Sequence, residues 1–195
     1  STRVRSSAAS DVYKRQLLPF DIAETNISYY ALCALMFSVG LSVGNDPQTL
    51  KNFRSLNPRL VFLPIMTILG TLAGSAAVSL ILTHRSITDC LAVGSGFGYY
   101  SLSSIFITEY KGAELGTIAL LANISREILT LLAAPLLVRW FGNLAPISAG
   151  GATTMDTTLP IITRTAGQQF VVVSIFHGFV VDFSVPFLVT LFCSI

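Results

Sequence analysis

From Leu60 to Leu82 the chain reads LVFLPIMTILGTLAGSAAVSLIL, with no charged residue anywhere in the run. About 20 apolar residues of helix are enough to cross the hydrocarbon core of a bilayer. This run meets that length with some to spare for tilt, and it sets lipid as the solvent for what surrounds it. Further apolar spans are predicted over residues 27–43, 115–138 and 170–192. Composition agrees: 52% of the 195 residues are hydrophobic and 11% are charged, and the mean hydropathy is +0.70. Soluble domains carry about 25% charged residues. The sequence therefore predicts an all-α, polytopic membrane protein.

Residues 1–16, STRVRSSAASDVYKRQ, are basic, rich in serine and alanine, and unlike the rest of the chain. Ser6–Gln16 matches one translated frame of a common transposase-type sequencing adapter. Residues 1–16 are therefore set aside as a disordered, adapter-derived scar, and the native N-terminus is expected to be missing. The scar holds Arg3, Arg5, Lys14, Arg15 and Asp11, a net +3, so the formal +2 of the chain becomes −1 for residues 17–195. The pI of 8.5 thus implies no nucleic-acid partner. Cys33, Cys90 and Cys193 lie in or beside apolar runs and lack metal-ligand spacing, which reads as buried thiols. No cofactor, metal or catalytic constellation is expected, and the chain does not read as an enzyme.

Two segments, at about 90–109 and 146–163, interrupt the pattern of a membrane bundle. The first contains Gly94, Gly96 and Gly98; the second is GGATTMDTTLP, with Gly150, Gly151 and Pro160. Straight helices disfavour such density of glycine and proline. The two align without gaps, Gly96 on Gly151 and Gly112 on Gly167, and each precedes an apolar helix with an acid at the same offset, Glu127 or Asp182. A repeat is expected. Basic loops stay cytoplasmic. If both segments are re-entrant, Glu109 and Glu114 lie outside and Arg139 and Arg164 inside, and the two units are inverted copies. Full crossings would put Arg139 and Arg164 on opposite sides.

Irregular backbone at membrane depth survives only where protein buries it or where it lines a wet cavity. Paired broken segments from inverted repeats are a recurring plan for transporter sites. Asp156 stands at the centre of the second segment. A carboxylate in lipid costs at least about 2.5 kcal/mol, so a cavity and a partner are expected. It reads either as a binding point for a cation or proton, or as a cap on a half-helix starting near Leu159. Ser101, Ser103, Thr153 and Thr154 offer neutral ligands. Asn123, Arg126 and Glu127 share one helix face, with a structural Arg–Glu pair as the plainer alternative for Arg126. His177 suits either proton coupling or packing, and Asp182 completes the set.

At GFGYYSLSS, REILTLLAAPLL, GGATTMDTTLP and HGFVVDFSVPFL the chain resembles the bacterial lysine exporter family of the LysO type, over Ile27 to Ile195. The resemblance implies an inner-membrane exporter of L-lysine and its analogues, with protons as a possible coupling ion. It also implies that Asp156 is needed for transport. Gly96, Gly98, Ser101, Ser103, Arg126, Glu127, Gly151, Thr153, Pro160, His177 and Pro186 match family positions. Thr154 stands where serine is expected, Tyr99 where tryptophan is common, and Asp182 where a neutral residue is expected. A channel or transporter for another small cation or amino acid is the alternative. The α-carboxylate of a substrate would need donors, from Arg126 or from half-helix N-termini.

Overall fold

The computed structural model describes residues 58–82 and 84–195. The expected scar and the expected span at 27–43 lie outside the described residues. Seven α-helices run through the described chain: α1 (Leu63–Ser79), α2 (Ile87–Gly94), α3 (Tyr100–Lys111), α4 (Ala113–Phe141), α5 (Ala145–Gly150), α6 (Leu159–Ala166) and α7 (Val171–Ser194). Short 3-10 turns cover Pro58–Phe62, Gly151–Met155 and Gln168–Phe170. There is no β-strand among the described residues. The three helical stretches long and apolar enough to cross a membrane are Leu60–Ser79, Ala113–Phe141 and Gln168–Ser194. This is an all-α membrane protein.

The broken segments occupy α2–α3 and α5–α6. Ser86 starts α2 by accepting the Asp89 amide at 3.0 Å. The helix ends at Gly94, and in the turn that follows Phe97 and Gly98 take φ of 46° and 95°, values outside the right-handed helix. At the far end, Lys111 of α3 pairs with Asp89 of α2 at 3.7 Å, and Arg85 pairs with Glu114 of α4. Both ends of the α2–α3 hairpin therefore lie at one face. The segment is a helical hairpin with its outer ends side by side.

The 29 residues of α4 span about 43 Å at 1.5 Å per residue, enough to carry the chain from that face to the other. There α5 and α6 repeat the manoeuvre. Ile147 near the start of α5, Ile162 and Ala166 of α6, and Val173 of α7 form one buried cluster, against which Val138 of α4 and Leu60 and Leu63 pack. Both ends of this second hairpin thus sit with the C-terminal end of α4. The outer ends of the two hairpins thus lie at opposite ends of α4. Each hairpin is followed by a long helix after a glycine, Gly112 directly before α4 and Gly167 before the 3-10 turn that leads into α7, with φ of 93° and 111°. That conformation is cheap only for glycine and lets α4 and α7 fold straight back.

Among the described residues, a Cβ on Gly70 or Gly74 of α1 would meet nothing within 4 Å. The close approach falls one residue on. Ser75 of α1 presses on Gly94 of α2, where an added Cβ would run into the serine hydroxyl.

Candidate functional site

The two hairpin tips meet. The Ala152 amide donates to the Phe97 carbonyl at 2.9 Å, and these two residues are equivalent in the gap-free alignment of Gly96 with Gly151. Phe97 is fully buried with φ of 46°, a costly conformation for an aromatic residue that the surrounding packing must enforce. Gly151, with φ of 65°, brings the second tip so close that a Cβ would collide with the Phe97 carbonyl oxygen. A Cβ on Gly98 would lie 3.1 Å from the Gly150 carbonyl. The glycines that break the helices are thus also what lets the two backbones touch.

The long helices brace the tips. Asn123 of α4, buried, accepts the Gly98 amide at 2.8 Å and donates to the Ala119 and Val93 carbonyls at 2.9 and 3.2 Å. This satisfies backbone groups that the break in the first hairpin would leave open. Gly178 of α7 does the corresponding service for the second tip, where the Met155 amide and Thr154 Oγ1 would lie 2.7 and 2.8 Å from a Cβ.

Arg126 is spent on the second hairpin. Its Nε donates to the Ala149 carbonyl at 2.8 Å and its Nη2 to the Ser148 carbonyl at 3.0 Å, with Thr71 Oγ1 at 3.4 Å. These carbonyls belong to the last turn of α5, where a cation is favoured by the free acceptors. The guanidinium also lies 5.9 Å from the centre of the Phe97 ring, within cation–π range. The expected Arg–Glu pair does not form among the described residues. Three residues along a helix from Asn123, Arg126 reaches carbonyls that sequence spacing alone does not reveal. Glu127 beside it is half-buried and makes no hydrogen bond among the described residues.

Most of the hydroxyls turn inward. Ser103 Oγ donates to the Tyr99 carbonyl at 2.8 Å, and Thr153 Oγ1 to the Gly150 carbonyl at 3.0 Å, beside Thr158 Oγ1 at 3.2 Å. Thr154 Oγ1 lies 2.8 and 2.9 Å from the Gly151 and Ser174 carbonyls. Carbonyls only accept, so the single threonine hydrogen goes to one of them. That leaves Thr154 to accept from Nδ1 of His177, 3.2 Å away. Nε2 of His177 meets Thr67 Oγ1 at 2.9 Å. His177 is fully buried and both of its nitrogens are engaged, tying α7 to α1 and to the second tip. Of the four hydroxyls named as ligands, Ser101 alone is exposed.

What remains open is acidic. Asp156 is exposed, and its Oδ1 accepts the next amide, that of Thr157, at 2.6 Å. It does not cap α6: the residue preceding that helix is Thr158, and no side chain caps it. Asp182 of α7 is only 5% exposed and has no hydrogen-bond partner among the described residues. Tyr99 ends the turn of the first hairpin, Asp156 follows the 3-10 turn of the second, and Asp182 lies on α7. Sequence reasoning missed the support given by Thr67 and Thr71. Two threonines at i and i+4 in an otherwise apolar helix were the available signal.

Two broken hairpins that touch at their tips, braced by helices long and apolar enough to cross a membrane, define an all-α membrane protein with irregular backbone held between its long helices. The chain belongs to the lysine exporter LysO family, whose sequence profile it matches over residues 13–193. It is 37% identical over 170 residues to lysine exporter LysO of Escherichia coli strain K12, covering 87% of this chain and 56% of that protein. It is 36% identical over 165 residues to a Haemophilus influenzae Rd protein provisionally named a lysine exporter, covering 85% of this chain and 83% of the relative. The chain therefore spans little more than half the length of the Escherichia coli relative. No solved structure matches it.

Proposed function

We propose that this chain is the transport core of a bacterial inner-membrane exporter of L-lysine and similar cationic amino acids. On this reading Asp156 is the contact for the substrate ammonium and protons are the coupling ion. The observation that carries it is the tip junction itself. Asp156 is exposed at the second tip and Asp182 is nearly buried on α7, and no cationic side chain pairs with either among the described residues. Arg126, which might have neutralised them, is engaged by α5 carbonyls. Unpaired anions at this depth are costly, and a cationic substrate offsets that cost. The names of the two relatives support lysine as the cation.

The α-carboxylate then needs a donor other than Arg126. On this reading it comes from the amides that the N-terminus of α3 leaves open after Tyr99, since helix N-termini attract anions. The opposed hairpins and the two left-handed glycines that follow them support an inverted repeat, residues 87–141 with residues 145–194. Such a repeat rocks about its junction to open the site to either side in turn. The domain reading follows: residues 17–195 act as one transport domain.

The test is lysine efflux from loaded cells that lack their own exporter, with Asp156→Asn at equal membrane abundance. A charge-assisted contact is worth about 1.5–3 kcal/mol, so the variant is expected to lose about 10- to 100-fold in transport. Unchanged efflux would remove Asp156 from the site. Efflux that neither saturates nor responds to the proton gradient would indicate a passive pore.

A further inference from the structure

Between α1, α2 and α4 lies a cavity of about 850 Å³, within the range of about 300–1,000 Å³ that small-molecule sites occupy. On α4 its lining runs from Leu115 to Arg126, about 16 Å of helix at 1.5 Å per residue. One space thus joins the outer end of the first hairpin, where Arg85 and Asp89 stand, to the level of the tips. Val78, Leu82, Val93 and Ile118 make its wall largely apolar. At the mouth the charges balance, since Arg85 pairs with Glu114 and Asp89 with Lys111. At the inner end they do not. Arg126 has no carboxylate partner among the described residues. Its Nε and Nη2 are held by the Ala149 and Ser148 carbonyls, whereas Nη1 has only Thr71 Oγ1, at 3.4 Å. That hydroxyl itself donates to no acceptor among the described residues. Asn123 beside it is fully used, by the Val93 and Ala119 carbonyls and the Gly98 amide. A guanidinium with donors to spare at the end of an apolar cavity calls for an anion. A lipid tail entering from the mouth would bring its apolar end to that charge, so a small carboxylate fits here and an acyl chain does not.

Resting on the export reading above, we propose that this cavity is the passage between the tip junction and the outer end of the first hairpin, and that Arg126 reads the α-carboxylate of the amino acid on the way. Arg126 Nη1 and Thr71 Oγ1 donate to the carboxylate oxygens at the inner end. The aliphatic side chain lies along Val93 and Ile118, and its ammonium points toward Asp89 at the mouth. Arg126 also borders the junction: its guanidinium carbon would lie 3.4 Å from a Cβ on Gly151, and it is 5.9 Å from the centre of the Phe97 ring. Between the two stations the carboxylate is exchanged from Arg126 to the open amides of α3. Arg126 is then a specificity-determining residue, one that selects amino acids over plain amines of the same length.

The experiment uses Val93→Cys in the purified chain, with Cys33, Cys90 and Cys193 replaced by serine, which puts a single thiol on the cavity wall. Its alkylation rate is measured against rising concentrations of L-lysine, of cadaverine (lysine without its carboxylate) and of hexanoate. L-Lysine is expected to slow the reaction saturably. Cadaverine and hexanoate are each expected to need about 10- to 100-fold more for the same protection, as for loss of one charge-assisted contact. Arg126→Gln, in protein of unchanged helix content, is expected to bring lysine down to the level of cadaverine; should that variant lose its helices, the ligand comparison with Arg126 in place decides alone. Equal protection by cadaverine, or an Arg126→Gln chain that keeps the full preference for lysine, overturns the proposal. Protection by hexanoate as good as by lysine makes the cavity a site for apolar carboxylates and overturns it too. If lysine protects a Thr157→Cys thiol beside Asp156 but not Val93→Cys, the proposal falls while the export reading stands. Protection at neither position removes both.

Discussion

At the scale of single residues, the site is defined by which polar groups the fold uses and which it leaves over. Asp156 could be singled out in the sequence because a charge amid apolar runs needs a reason. The direction of the hydroxyls around it could not be read, because Thr153, Thr154 and Ser103 satisfy carbonyls that exist only once the helices break. His177 illustrates the difference. Its place in mid-helix left proton coupling and packing both open, and in the fold it spans Thr67 and Thr154 like a pin. His177→Ala leaves a hole and two buried hydroxyls short of a partner, at an expected cost of about 2–4 kcal/mol. A fall of several degrees in the midpoint of thermal unfolding in detergent would register it. An unchanged midpoint would show that the pin carries no load.

At the scale of elements, glycine density correctly marked where helices stop, because the residue type and its consequence are local. It did not reveal which glycines matter for contact. Gly151 and Gly74 make the comparison. Gly151 has φ of 65° and abuts the Phe97 carbonyl, whereas nothing among the described residues comes within 4 Å of a Cβ at Gly74. Gly151→Ala combines backbone strain with a collision against main chain, at an expected cost of about 2–5 kcal/mol. Gly74→Ala, in mid-helix, is expected to be neutral or to stabilise by up to about 1 kcal/mol. Unfolding of the two variants side by side separates the junction from ordinary packing; equal effects would mean that the tips do not bear on each other.

At the scale of the molecule, the handful of charges in the loops carried more than their number suggests. They favoured the arrangement in which Glu109 and Glu114 share one side and Arg139 and Arg164 the other. The ion pairs Asp89–Lys111 and Arg85–Glu114 close the first hairpin at a single face. The pairing of the tips was beyond the sequence, since a bond from Ala152 to Phe97 joins residues 55 apart with no local pattern to announce it. Cysteines placed at Thr88 and Glu109 are expected to react with an impermeant reagent from the same side of the membrane, and one at Arg164 from the other. Reaction of Thr88→Cys and Glu109→Cys from opposite sides would require a full crossing instead.

The claim on which the account turns is that a cationic amino acid sits against Asp156 at the meeting point of the hairpins. Thr157 is exposed and its amide binds the Asp156 carboxylate, so a Thr157→Cys thiol reports on that spot once Cys33, Cys90 and Cys193 are replaced by serine. The measurement is its rate of alkylation in membranes with and without L-lysine. The account predicts that lysine slows the reaction in a saturable way and that L-glutamate at the same concentration does not. A rate indifferent to lysine, in protein that keeps its helix content, would contradict it.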